Sequence, residues 1–163
     1  MRRLKLGPFV GMAWVALVAG CGRSDSIPVP TSAPAAGSSN HTHLPPHGGT
    51  AVELGPDQYH LELVHDAGSE QLTAYVLDGE MEKFIRISQS RFQIRVAGSL
   101  TGPLEFQAVE RPATGERVGE TSEFAAAAPW LKTNTAFDGV LTEIKIGGQT
   151  YRDISFKYPK GNE

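Results

Sequence analysis

From Gly49 onward, apolar residues recur at every second position in short runs, and Gly, Pro, Asp or Asn breaks each run before a helical face can develop. A period of two is the repeat of a strand with one face buried. The spacing predicts strands over 50–54, 58–65, 71–77, 84–88, 91–97, 104–109, 140–146 and 150–158. Leu54-Gly55-Pro56-Asp57, Asp66-Ala67-Gly68-Ser69 and Asp78-Gly79 supply turns between them, and Ser88-Gln89-Ser90 another. Gly147-Gly148 predicts a two-residue hairpin of the kind that needs positive φ. Within 58–65, Tyr59, Leu61 and Leu63 share one face while His60, Glu62 and Val64 share the other. The stretch 122–130 reads two ways: Ala125-Ala126-Ala127-Ala128 as one helical turn, or the whole as a covering loop ending at Pro129. Trp130 is expected to plug an open edge. About eight short strands without a long amphipathic helix predict an all-β domain over 49–159, a small immunoglobulin-like β-sandwich, with a small barrel as the rival. Residues 160–163 form a short tail.

The single cysteine bounds what can stabilise this domain. Cys21 closes the stretch Val18-Ala19-Gly20-Cys21-Gly22, after Arg2, Arg3 and Lys5 and an apolar run containing Phe9, Val10, Met12, Trp14, Val15, Leu17 and Val18. The order of basic, apolar and small residues is that of a secretory signal. The apolar stretch, broken by Gly7, Pro8 and Gly11, falls short of the roughly 20 residues that span a bilayer. Residues 1–20 are therefore expected to be a removable leader. The small residues before the cysteine resemble the lipobox of bacterial lipoproteins. That resemblance implies a diacylglycerol on the Cys21 thiol, cleavage before Cys21 and acylation of the new amino group. With the thiol so used, none remains for a disulfide, an iron-sulfur cluster, a zinc ribbon or a cysteine nucleophile. An ordinary hydrophobic core must hold the domain together.

Charge narrows the partners. The leader carries three basic and no acidic residues, so its removal takes the formal charge from -3 to -6. An acidic chain without Lys/Arg patches is a poor match for nucleic acid or for electrostatic attachment to anionic lipid. Membrane affinity is left to the acyl chains, at about 0.8 kcal/mol per buried methylene. Between Cys21 and residue 48 the composition turns to Pro, Ser, Ala, Gly and Thr, which is that of a disordered tether. Gly22, in place of the aspartate that retains many lipoproteins at the inner membrane, favours the outer membrane, with the domain facing the periplasm.

Three of the five histidines, His41, His43 and His47, fall in the seven residues that end this tether. Neutral imidazole suits zinc, copper(II), nickel or cobalt(II), and a His-x-His pair can bring two nitrogens onto one ion. Pro45-Pro46 restricts the chain before His47, and Gly48-Gly49 lets it bend sharply after. Period-two geometry puts His60 and Glu62 on one face of the second strand. The metal hypothesis is that the histidine cluster folds back onto His60 and Glu62 to hold a divalent ion. The plain alternative leaves the cluster solvated, makes His60 and Glu62 a cross-strand polar pair and places His65 at a hairpin end.

The stretches Pro46-His47-Gly48-Gly49-Thr50-Ala51-Val52-Glu53-Leu54-Gly55, Tyr59-His60-Leu61-Glu62-Leu63-Val64 and Leu72-Thr73-Ala74-Tyr75-Val76-Leu77-Asp78-Gly79 resemble small bacterial lipoproteins. They are also similar to the His-rich N-terminal segment of periplasmic adaptor subunits of heavy-metal efflux pumps. The likeness covers about a quarter of the chain and implicates only His47, His60 and Glu62 as ligands. It implies an accessory domain near metal-efflux proteins. The coiled-coil hairpin and lipoyl-like domain of an adaptor have no counterpart in this sequence.

Motifs for catalysis are missing from the sequence. There is no Gly-x-Ser-x-Gly, no His-Glu-x-x-His and no phosphate-cradling glycine loop opening a helix. The sequence thus leads to a non-enzymatic, lipid-anchored binding module, with a transition metal as its most concrete ligand. Its rival is an envelope structural or protein-interaction domain that binds no metal.

Overall fold

The computed structural model describes residues 44–66, 68–98 and 102–162, all within one compact unit, Asn40–Glu163. The expected leader, Cys21 and the expected tether as far as residue 43, with His41 and His43, lie outside the described residues. The described chain is all-β, with eight strands: β1 Thr50–Leu54, β2 Tyr59–His65, β3 Gln71–Asp78, β4 Arg91–Val96, β5 Leu104–Ala108, β6 Glu123–Ala127, β7 Phe137–Ile146 and β8 Gln149–Tyr158. They form one antiparallel sheet of order β1-β2-β3-β6-β5-β4-β7-β8. The pairings of β3 with β6 and of β4 with β7 carry the chain across the sheet.

Hydrogen bonding therefore runs through one continuous, nearly closed sheet, and the expected division into an immunoglobulin-like sandwich gives way to it. The closing seam lies between β1 and β8, which have no ladder between them. Instead Gly161 bonds both backbone groups of Lys157, at 2.9 and 2.7 Å. The Asn162 side chain accepts from Glu53 N–H at 2.8 Å and donates to Glu53 C=O at 3.2 Å. A side-chain amide thus stands in for a peptide group on the free edge of β1. Such capping removes an edge open to further pairing.

Burial follows the period-two pattern. Val52, Leu54, Leu61, Leu63, Leu72, Ala74, Val76, Ile94, Phe106, Leu141 and Ile144 are among the residues that fill the interior. Phe92 stacks on Phe106 with ring centroids 4.9 Å apart and meets Phe124 at 5.1 Å. A small, nearly closed sheet filled in this way behaves as a packed core rather than a container.

Two expectations need correction. Residues 84–88 form no strand: Phe84 bridges Leu77, while Ile87 bridges Thr121 on the approach to β6. The segment changes partner after three residues, too few for a ladder. The alanine run is neither a helical turn nor a loop but most of β6, paired with β3 on one side and β5 on the other. Phe124 and Ala126 point inward and the alternate residues outward, so tertiary pairing overrides the helix propensity of alanine. The helical geometry comes later, as a 3₁₀ turn Pro129–Lys132. There Trp130 packs edge-on against Phe137 at 5.5 Å, half-buried over the core.

Candidate functional site

A β-turn at residues 45–48 lies against the outside of the sheet. Gly48 N–H donates to Pro45 C=O at 3.0 Å, with Pro46 and His47 at the corner. Proline suits that corner because its ring presets φ. Gly48 takes φ of 68°, and at Gly49 a Cβ atom would lie 2.6 Å from Leu63 C=O and 2.8 Å from Glu62 Cγ. Only glycine permits so close an approach to β2.

That approach delivers three donors to one carboxylate. His47 N–H and Gly49 N–H donate to Glu62 Oε1 at 2.7 and 3.0 Å, and His47 Nδ1 meets Oε2 at 2.7 Å. An ionised carboxylate only accepts, so Nδ1 is the donor toward it, and in the neutral ring the lone pair then lies on Nε2. Glu62 is 0% exposed while the His47 side chain is 38% exposed. Tyr75, opposite Glu62 on β3, stacks on the imidazole at 4.1 Å with planes 20° apart. Phe84 closes a second side, 5.7 Å from His47 and 5.9 Å from Tyr75. Among the described residues Nε2 has no hydrogen-bond partner.

The polar row continues across β3 onto β6. Tyr75 lies opposite Glu123, which Arg111 grips through Nε to Oε2 at 2.7 Å and Nη2 to Oε1 at 2.5 Å. A fork of this kind fixes both geometry and charge. Burial raises the Tyr75 phenol, and the charges of Glu123 and Glu62 add to that against Arg111. Next to this pair, Glu116 accepts from Ser122 N–H and Oγ and from Thr114 Oγ1. Burial pushes its carboxyl up, but those bonds and Arg86 outweigh it and hold Glu116 below the ordinary value.

His60 and Glu62 share the outer face of β2, as period two requires, yet both are fully buried. His60 Nδ1 lies 3.4 Å from Asp78 C=O, and its cross-strand partner on β3 is Leu77. His47 and Glu62 meet directly, as the fold-back idea requires of them. Their bond is a hydrogen bond, and with His47 N–H and Gly49 N–H it takes up three of the roughly four acceptor positions of the Glu62 carboxylate. Among the described residues no three His, Cys, Asp or Glu side chains are grouped as a metal site. His65 sits at its hairpin end, with Nε2 3.3 Å from Ser69 C=O.

Sequence reasoning missed Tyr75, Phe84 and the Arg111–Glu123 pair. Tyr75 was findable: the hairpin through 66–70 sets a register that puts the one aromatic on the polar face of β3 opposite Glu62. Arg111 and Phe84 reach the site from irregular segments, whose course no periodicity reports.

A carboxylate that orients an imidazole through Nδ1 raises the basicity of Nε2 and fixes its direction, the arrangement found behind many metal-ligating histidines. The same three bonds also fasten the residues entering the domain to the wall of the sheet. Compared with known protein families, with curated proteins and with solved structures, the chain matches none.

Proposed function

We propose that this protein is a non-catalytic, lipid-anchored binding module of the bacterial envelope that takes up a divalent transition metal where its tether joins the β-domain. The observation that carries the reading is the His47–Glu62 bond, with Nδ1 committed to a buried carboxylate and Nε2 left over on a half-exposed ring. In this reading His47 is the ligand fixed to the domain, His41 and His43 supply further nitrogens, and Glu62 acts behind His47 rather than on the ion. His60 sits too deep to join the first coordination sphere and shapes the wall behind it. Zinc, copper(II), nickel and cobalt(II) all suit such a nitrogen set. The anchor is the lipid on Cys21, the domain faces the periplasm from the outer membrane, and metal-efflux or other envelope proteins are its natural partners.

Calorimetry with zinc, copper(II) and nickel tests this on the chain from Cys21 to Glu163 carrying Cys21→Ser. Submicromolar binding, weakened by His47→Ala and again by His41→Ala with His43→Ala, is the expected result. Affinity no tighter than about millimolar would remove the metal, since loose imidazole pairs reach that level alone.

One observation favours a second reading, an envelope interaction domain without metal. Glu62 is satisfied by the chain's own donors, so the His47-Gly48-Gly49 clasp is complete as it stands. The histidine would then serve to fasten the tether, and His47→Ala would lower stability without any metal dependence.

A further inference from the structure

The His47 ring is held by more than its hydrogen bond. An imidazole on a single Nδ1 contact keeps the torsion about its Cβ–Cγ bond, and a modest rotation carries Nδ1 off the carboxylate. Rotation about that bond sweeps the ring plane through the space on either face. Here one face is filled by the Tyr75 phenol at 4.1 Å, nearly parallel, and Phe84 stands against the ring at 5.7 Å and 47°. Tyr75 is itself held edge-on by Phe84 at 5.9 Å. Its backbone is part of the β2–β3 ladder directly opposite Glu62. The carboxylate that orients the ring and the ring that flattens it thus belong to one cross-strand pair. The sheet register fixes the backbone spacing from which both side chains start.

We infer that Tyr75 is a positioning residue for His47: its stacked ring keeps the imidazole plane in line with Glu62 and thereby keeps the lone pair on Nε2. This deepens the metal reading and rests on it for its purpose, though the alignment itself exists without metal. The contribution acts through His47 alone, because Tyr75 offers its face and not its hydroxyl. Phenylalanine therefore replaces it fully, while an aliphatic residue of similar bulk fills the space and does not stack. A merely structural Tyr75 would show no such order at His47, with Tyr75→Phe and Tyr75→Leu leaving the same tautomer.

The test compares Tyr75→Phe and Tyr75→Leu on the Cys21→Ser chain by two measurements. Nitrogen-15 NMR reads the tautomer of His47 in the metal-free protein, and calorimetry reads zinc affinity. The expected result is one Nδ1–H tautomer in the parent and in Tyr75→Phe, with mixed tautomers in Tyr75→Leu. Zinc affinity should fall between about twofold and tenfold in Tyr75→Leu, the range an aromatic pair is worth, and stay unchanged in Tyr75→Phe. A single Nδ1–H tautomer in Tyr75→Leu overturns the inference, whatever the zinc titration gives. Absence of zinc binding by the parent removes the metal reading alone, since the tautomer still decides the role of Tyr75. Should Tyr75→Leu fail to fold, Tyr75→Val, suited to a strand interior, takes its place.

Discussion

A fully buried carboxylate has to be met by donors, and Glu62 gathers three from the short stretch His47-Gly48-Gly49. Glu62→Gln would set an amide NH₂ against a histidine or backbone donor. Hydrogen bonds to charged groups are worth about 1.5–3 kcal/mol, so a loss of about 2–3 kcal/mol in urea denaturation is expected. His47→Ala should cost less, because both backbone donors remain. If the two act as one clasp, the double variant will fall short of the sum of the single effects by at least about 1 kcal/mol. Additive losses would show that the clasp is not cooperative. Glu116 makes a separate prediction in acid. Its folded pKa is depressed against burial by Ser122, Thr114 and Arg86, so the unfolded chain binds the proton first as pH falls. The stability it supplies is present above the unfolded value of about 4.3 and is lost as pH drops through the folded one. Unfolding midpoints measured from pH 6 to pH 3 should therefore fall less steeply in Glu116→Gln than in the parent. Equal slopes would remove Glu116 as a contributor.

Strands were legible wherever one face is apolar and the other polar. β1 and β4 read directly from their alternation, and the Gly147-Gly148 turn placed the β7–β8 hairpin. β6 was not legible, because four alanines carry no facial contrast and only β3 and β5 beside them decide the pairing. Residues 84–88 failed for the opposite reason: their alternation is real, but no continuous neighbour lies alongside. The same limit applied to the candidate site. His60 and Glu62 were correctly put on one face, yet their complete burial depends on segments that cross from elsewhere in the chain. The near-closure of the sheet was legible only as the rival small barrel, since it hangs on Gly161 and Asn162 in a polar tail. Asn162→Ala should cost about 1 kcal/mol, the net worth of a hydrogen bond or two at a half-exposed edge. Gly161→Ala should cost more, because its new methyl would collide with Ala51 C=O. Hydrogen exchange should then rise first at β1 and the end of β8. Protection loss spread evenly over the sheet would mean that the seam is not where opening begins.

At the scale of the whole molecule, the proposed reading needs something to hold an acidic β-domain at a membrane. Among the described residues no helix is long and apolar enough to cross one. Residues 21–163 carry a formal charge of -6, which repels anionic lipid, so attachment in the proposed reading falls to acyl chains on Cys21. Two such chains or more bind far more tightly than one, and hydrophobic insertion is insensitive to salt, whereas electrostatic adsorption weakens as the Debye length shrinks to about 3 Å at 1 M. The parent expressed in a bacterium is therefore expected in the membrane fraction, retained through a 1 M salt wash and released by detergent. Cys21→Ser should leave it either soluble or with its leader uncut. The two are told apart by the mass of the intact chain, which also reports the added acyl groups in the parent. Retention of a leader-free Cys21→Ser chain on membranes would locate the affinity in the domain itself. The aromatic edge of Trp130 and Phe137 would be the first place to look for it. If the anchor is lipid alone, the clasp at His47 acquires a mechanical meaning as well: any pull along the tether reaches the sheet first at Glu62. Weakening that carboxylate should then release residues 44–49 from protection before it affects the core.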